Sequence, residues 1–403
     1  MNREAETRVK SPSRMVWRTQ MSKGVNTPHR VSKVTCVINQ HYGNTLTDHL
    51  KDLGLEDIYV ESGRVVRKYL RRRPLGLPGK SITLQDTPVN IYRFTVPRDI
   101  SRGVIRSVIE ESGLYQPGRG TVFVQDLIEF YRTDPPRISE SILPDVVEDR
   151  FVPVQKRLVT GLTYLTCVLS QPGSAEKLAR LALELGICVP VVTHGSATDI
   201  RDQLGLIRIT IPSEKEILHL VMPEQDSDSI ARLIIEAAGL DRKGSGFIYR
   251  TPIGAGLPDI LLRLGQQEHA ATIEQMIAAI DQIKGDTSWR KRISPDHGRV
   301  STEDLIPDHH CEVTAICHDD RSDMLIDAAI KAGASGATTS RVKKLVRRED
   351  EAGYAAQSHS TISVPAAIID DVVDAMLEMS NRDYDGGDRI QVLDSPAAYV
   401  QTW

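Results

Sequence analysis

The sequence predicts an α+β chain built from three tandem βαββαβ blocks. Three observations carry that expectation. A short β-branched strand motif occurs three times, a helix stopped by glycine follows each copy, and a second helix runs into a glycine turn before a closing strand.

The strand motif comes first. Val34-Thr35-Cys36-Val37-Ile38-Asn39-Gln40 matches Leu165-Thr166-Cys167-Val168-Leu169-Ser170-Gln171, and Val313-Thr314-Ala315-Ile316-Cys317-His318-Asp319 is the third version. Such runs favour a pleated, buried strand. The following helices are expected at Thr45 to Leu53, Ser174 to Leu185 and Ser322 to Ala332. Gly54, Gly186 and Gly333 stand where a left-handed residue would end them.

The second half of each block is marked by Ile109-Glu110-Glu111-Ser112-Gly113-Leu114 and its match Ile235-Glu236-Ala237-Ala238-Gly239-Leu240. Gly118-Arg119-Gly120 and Gly244-Ser245-Gly246 follow at the same spacing, each leading into a strand. In the third block a helix from about Pro365 to Met379 leads to Asp385-Gly386-Gly387-Asp388-Arg389 and the strand Ile390 to Leu393. Two helices on one face of a four-stranded sheet is the ferredoxin-like arrangement. The expected organisation is a basic disordered arm over 1–31, units at 32–133, 159–256 and 310–403, a linker at 134–158, and a helical segment with linker at 257–309. The three units are expected to close on each other as an intramolecular pseudo-trimer.

Composition narrows the function classes. Hydrophobic residues make up 40% and charged residues 26% of the 403, the balance of an ordinary globular chain. No apolar run reaches the ~20 residues that span a bilayer. The five cysteines lie mostly in apolar, strand-like runs, which fits reduced thiols and a cytoplasmic location. Net charge is −4, yet the first third is strongly basic, so an acidic protein, a lipid surface or nucleic acid could meet it. Aromatic residues at only 5% argue against a single-strand binder built on stacking. His309-His310-Cys311 with Cys317 and His318 fits no zinc spacing, so no metal is expected. No nucleophile–base pair can be assembled, so an enzyme is not expected.

The chemistry expected from the residues centres on the glycine turns. Backbone N–H groups in a Gly-x-Gly turn can point at an anion, and Arg119 and Arg389 could add charge-assisted bonds. The plainer reading of each turn is a tight bend that only glycine can make.

With these motifs laid out, about 290 residues in three blocks resemble the PII signalling superfamily. Gly333-Ala334-Ser335-Gly336-Ala337-Thr338-Thr339-Ser340-Arg341-Val342-Lys343 resembles the family's second strand, which leads into its mobile T-loop. The resemblance implies subunits of ferredoxin-like fold, ATP, ADP or AMP in the clefts between them, and loops that engage a protein target, often a membrane transporter. Carried onto this sequence, nucleotide contacts fall on Gly118, Arg119, Gly120, Gly244, Gly246, Thr338, Lys343, Gly386, Gly387, Asp388 and Arg389. The partner-binding loops fall on Arg64, Arg67, Lys68, Arg71, Arg72 and Arg73, and on Lys344, Arg347 and Arg348. Arg348 replaces the family's glutamine near 2-oxoglutarate, so sensing of that acid is not expected. The expectation is a regulator, a monomeric pseudo-trimer or low-order oligomer, reaching the membrane only through a transporter. The alternatives are a ligand-free scaffold and a polyanion binder using the basic first third; nucleic acid is not favoured.

Overall fold

The computed structural model describes residues 30–72, 80–131, 136, 138, 152–199, 214–242, 244–261, 263–265, 273–292, 308–347, 352–382 and 388–400. The expected arm at 1–29 lies outside them.

The first block runs β1 (Val31–Asn39), α1 (Gly43–Asp52), β2 (Tyr59–Arg72), β3 (Lys80–Pro97), α2 (Ser101–Ser112), β4 (Gly120–Asp126) and a short β5 (Glu129–Tyr131). The second runs β6 (Leu162–Leu169), α3 (Ser174–Glu184), β7 (Val191–Asp199), β8 (Glu214–Pro223), α4 (Ser227–Ala238), β9 (Gly246–Ile253) and β10 (Ala255–Leu257). After β11 (Arg263–Gly265) and α5 (Ile273–Lys284), the third block follows. It comprises β12 (Asp308–Cys317), α6 (Asp319–Lys331), β13 (Gly336–Arg347), β14 (Ala352–Pro365), α7 (Ile369–Arg382) and β15 (Arg389–Val400).

Hydrogen bonding orders the strands β4-β1-β3-β2 in the first block, β9-β6-β8-β7 in the second and β15-β12-β14-β13 in the third, all antiparallel. The chain is thus mixed α and β, and its strands join one large sheet.

Period-2 alternation explains why each first strand is central. Val34, Cys36 and Ile38 point one way and bury against Leu46 and Leu50 of α1 and Val104, Ile105 and Val108 of α2. Leu165, Cys167 and Leu169 do the same with α3 and α4, and Val313, Ala315 and Cys317 with α6 and α7. Each buried Val, Leu or Ile among them contributes roughly 1.5–3 kcal/mol. The opposite faces carry Lys33 and Thr35, Tyr164 and Thr166, and Glu312 and Thr314, all buried as well. Something must cover these polar faces, and the other blocks do.

The blocks exchange strands in a ring. β5 of the first block pairs with β15 of the third, the end of β15 pairs with β9 of the second, and β10 of the second pairs with β4 of the first. The second strands also meet pairwise, Arg64 opposite Val192, Gly336 opposite Asp199 and Lys343 opposite Val60. Residues 255–265, expected to end the second unit and begin a linker, therefore serve the first block. β11 extends it further by running parallel to β2 at Lys68–Leu70.

Two expectations are corrected. The basic run Arg64 to Arg72 is no loop: it lies on β2, in a long hairpin with β3. Likewise Lys343, Lys344 and Arg347 lie on β13, and β14 resumes at Ala352. Both segments stay extended because their backbones have ladder partners on β3 and β14. The helical segment expected within 257–309 is described from Ile273 to Lys284.

Candidate functional site

The first two glycine turns share one geometry. The carbonyl of the middle residue accepts the last amide of the first strand: Asn39 N to Arg119 O, and Ser170 N to Ser245 O, both 2.9 Å. Gly120 and Gly246 then enter β4 and β9 pressed on the neighbouring strand. A Cβ on either would collide with the carbonyl oxygen of Val37 or Val168. The second glycine of each turn is thus demanded by close backbone approach.

The first turn already holds a carboxylate. Gly118 N donates to Asp259 Oδ1 at 3.1 Å, Leu261 N donates to the same oxygen at 2.9 Å, and Arg67 pairs with Oδ2. The Asp259 amide donates to Thr121 Oγ1, which fixes the segment in place. Both charged side chains are buried, at 3% and 2% exposure, so the pair is sealed from water. Arg67 also donates to the carbonyls of Leu261 and Gly118. Arg119 does not face this anion position. Its guanidinium lies 4.2 Å from the centre of the Tyr42 ring and donates to Ser112 O near the end of α2.

In the second turn the Asp241 carboxylate lies beside Gly239. Ser245 Oγ donates back to Arg242 O, and Arg250 is held by Ser227 and Asp228. The last residues of β15 run beside this turn, Val400 opposite Phe247.

At the third turn Gly386 and Gly387 lie outside the described residues. Asp388 accepts from Arg321 at the start of α6 and from Ser380. Arg389 is buried and donates to Asp57 of the first block at 2.8 Å, where Lys344 also reaches. Burial opposes the Asp57 charge, but Arg389 and then Lys344 outweigh it and hold its carboxyl below the ordinary range. These residues thus join the first block to the third.

Thr338 and Lys343 are not brought together. They are five positions apart on β13 and so point to opposite faces, Thr338 buried and Lys343 exposed. Of the basic residues expected to dock a partner, Arg64, Arg67, Lys68 and Lys344 have partners inside the molecule. Besides Arg67, Lys68 is buried and donates to Leu183 O at 2.7 Å, in the last turn of α3, where the helix dipole favours a cation. Arg64 pairs with Asp86 across the hairpin. Arg71 and Arg72 continue β2, and Arg347 ends the described part of β13. Arg73 and Arg348 lie outside the described residues.

A cavity of mixed lining lies where the three blocks meet, with about 30 Å³ of room, and the sequence reading missed it. The first block supplies Glu61 and Arg93, the second Thr193 and His219, the third Ser340 and His359. Arg93 Nη1 donates to Glu61 Oε2 at 2.5 Å, and nearby Lys33 donates to Glu312 at 2.9 Å between the first and third blocks. Burial opposes the Arg93 charge, but Glu61, Tyr164 and Glu312 outweigh it. Burial also lowers the Lys33 pKa, with Glu312 acting the other way. His219 is pushed down to about 3, first by burial, then by the Arg93 and Lys33 charges. His359 falls well below the ordinary range for the same reasons. Both imidazoles are neutral at pH 7.

The five cysteines are free and buried, and burial raises every thiol, those of Cys311 and Cys317 to about 12. Among the described residues no group of three or more His, Cys, Asp or Glu could hold a metal ion, and no helix is long and apolar enough to cross a membrane. No protein-family model and no curated protein matches the sequence.

Proposed function

We propose that the chain is a PII-like regulator: three tandem ferredoxin-like units closed as an intramolecular pseudo-trimer. It would take an adenine nucleotide at the second glycine turn and control a partner protein, a transporter or an enzyme of nitrogen or inorganic-carbon uptake. The observation that carries the reading is the ring of exchanged strands. Each unit lends its C-terminal strand to the next, and the three second strands meet pairwise.

The nucleotide site is assigned to the second turn because the first holds Asp259 and the charged residues of the third are committed to Arg321 and Asp57. Signalling requires that the nucleotide bind two arrangements of the neighbouring segments unequally. A ligand-free scaffold is the second reading, and the seated Asp259 carboxylate favours it. Isothermal titration of the full chain with ATP, ADP and AMP separates the two. One site per 44.7 kDa chain supports the regulator. Three sites would refute the assignment to the second turn. No heat with any nucleotide would leave the scaffold.

A further inference from the structure

The central cavity is a built site, and its occupant follows from which atoms lack partners. Besides the Thr166 hydroxyl, three side-chain atoms of residues lining it have none: Glu61 Oε1, His219 Nδ1 and His359 Nε2. All three side chains are more than nine-tenths buried. The other atom of each is used. Glu61 Oε2 takes the Arg93 bond, His219 Nε2 lies 3.1 Å from Thr193 Oγ1, and His359 bonds its own main chain. Neutral His359 then presents a lone pair at Nε2, and Glu61 Oε1 is an acceptor. Two acceptors lining one cavity call for a donor.

Cross-strand registers show why the cavity has this mixture. Arg93, His219 and Thr361 are corresponding residues, the partners of Thr35, Thr166 and Thr314. Glu61, Thr193 and Ser340 correspond in the same way, through Ile91, Ile217 and His359. Three identical subunits would place three arginines or three histidines at one level. A single chain has placed one arginine, one histidine and one threonine there, with a glutamate next to the arginine. The formal charges of Arg93 and Glu61, and of Lys33 and Glu312, cancel in pairs. The ligand that suits the site is therefore neutral, small, and both donor and acceptor.

We propose that the cavity binds ordered water shared by all three blocks, one molecule bridging Glu61 Oε1 and His359 Nε2. The room of about 30 Å³ exceeds the roughly 10–15 Å³ that a buried water needs. The water completes the pairing of groups contributed by different blocks, so it belongs to the interface that fixes the order of the blocks around the ring. This goes beyond the nucleotide reading and does not depend on it.

The test is a crystal structure of the full chain at atomic resolution and neutral pH, with a second crystal soaked in bromide and a third in rubidium. Ordered water density within about 3.2 Å of Glu61 Oε1 and of His359 Nε2 is the expected result. A dry cavity, or anomalous signal inside it from either ion, overturns the proposal. Water relaxation dispersion supplies a second measurement. Thr361→Leu, at the half-buried edge of the lining, should lower the count of long-lived waters, and an unchanged count overturns the proposal.

Discussion

Acidification should loosen this molecule from its centre. His219 and His359 are buried neutral beside Arg93 and Lys33, with Glu61, Glu312, Tyr164 and Tyr249 also facing the region. Their folded pKa values lie below the ordinary 6.5, that of His219 near 3. Between these limits the unfolded chain binds protons that the folded chain refuses. Stability is therefore full above about pH 6.5 and falls as pH drops toward the folded values. His219 alone gives a slope of about 1.4 kcal/mol per pH unit, or on the order of 2.5 kcal/mol between pH 6.5 and 4.5, and His359 acts with the same sign. Half-buried His49 is lowered by burial as well and adds a smaller term of the same sign. Asp57, whose carboxyl is depressed, acts only below 3.8, outside this window. The assay is urea unfolding at pH 7.0, 5.5 and 4.5, on the parent chain and on His219→Gln/His359→Gln. The double variant should lose most of the slope. An equal slope in both proteins would refute the reasoning, because the protons would then be entering elsewhere.

Four further outcomes are expected. Arg67→Ala strands the buried Asp259 carboxylate and should cost about 3–5 kcal/mol in chemical denaturation, whereas Arg67→Met with Asp259→Leu should recover most of it. Gly246→Ala drives a Cβ into the Val168 carbonyl and should cost at least about 2 kcal/mol. At Gly173, which shares the positive φ but has nothing within 4 Å of a Cβ, alanine should cost only about 1–2 kcal/mol, measured by the same unfolding curves. Lys68→Met removes a charged hydrogen bond to the end of α3 and should cost about 1.5–3 kcal/mol. Light scattering after size exclusion should give 44.7 kDa; an obligate trimer of chains would count against the closed ring.

Local signals made the blocks legible, and distant partners hid the site. Cys36 and Cys167 sit in β-branched runs, and Leu46, Leu50, Leu178 and Ile234 fall at helical spacing, so strand and helix positions could be read within one block. The glycine turns were legible for the same reason. Their occupancy was not. Asp259 lies 141 residues from Gly118, and Asp57 lies 332 from Arg389, so no local pattern announces either contact. The basic run on β2 misled because charge at a strand end reads as solvated. Here two of its cations meet partners delivered by another part of the chain: Asp259 for Arg67, and the end of α3 for Lys68.

One signal for the centre was present and could have been used. In all three blocks the first strand alternates apolar residues with Lys33 and Thr35, Tyr164 and Thr166, or Glu312 and Thr314. In a single sheet with helices on one face, that second face would be wet. Three copies in one chain offer another cover, because each polar face can close on the other two. A charged residue can then be buried only if its opposite arrives from a different block at the same level, as Glu312 does for Lys33 at 2.9 Å. Breaking one member of such a pair is costly, while a wrong block at that position would leave the charge unpaired. The polar centre thus discriminates between arrangements of the ring in a way that three interchangeable apolar faces would not. Lys33→Met tests this directly. It strands Glu312 and should destabilise by about 3–5 kcal/mol, and Lys33→Met with Glu312→Leu should restore stability. If the polar pair specifies the arrangement, the stable double variant should also form chain dimers by exchanging blocks, seen as an 89 kDa species in light scattering, twice the single-chain mass. A double variant that is stable and strictly monomeric would show that the exchanged strands alone set the order.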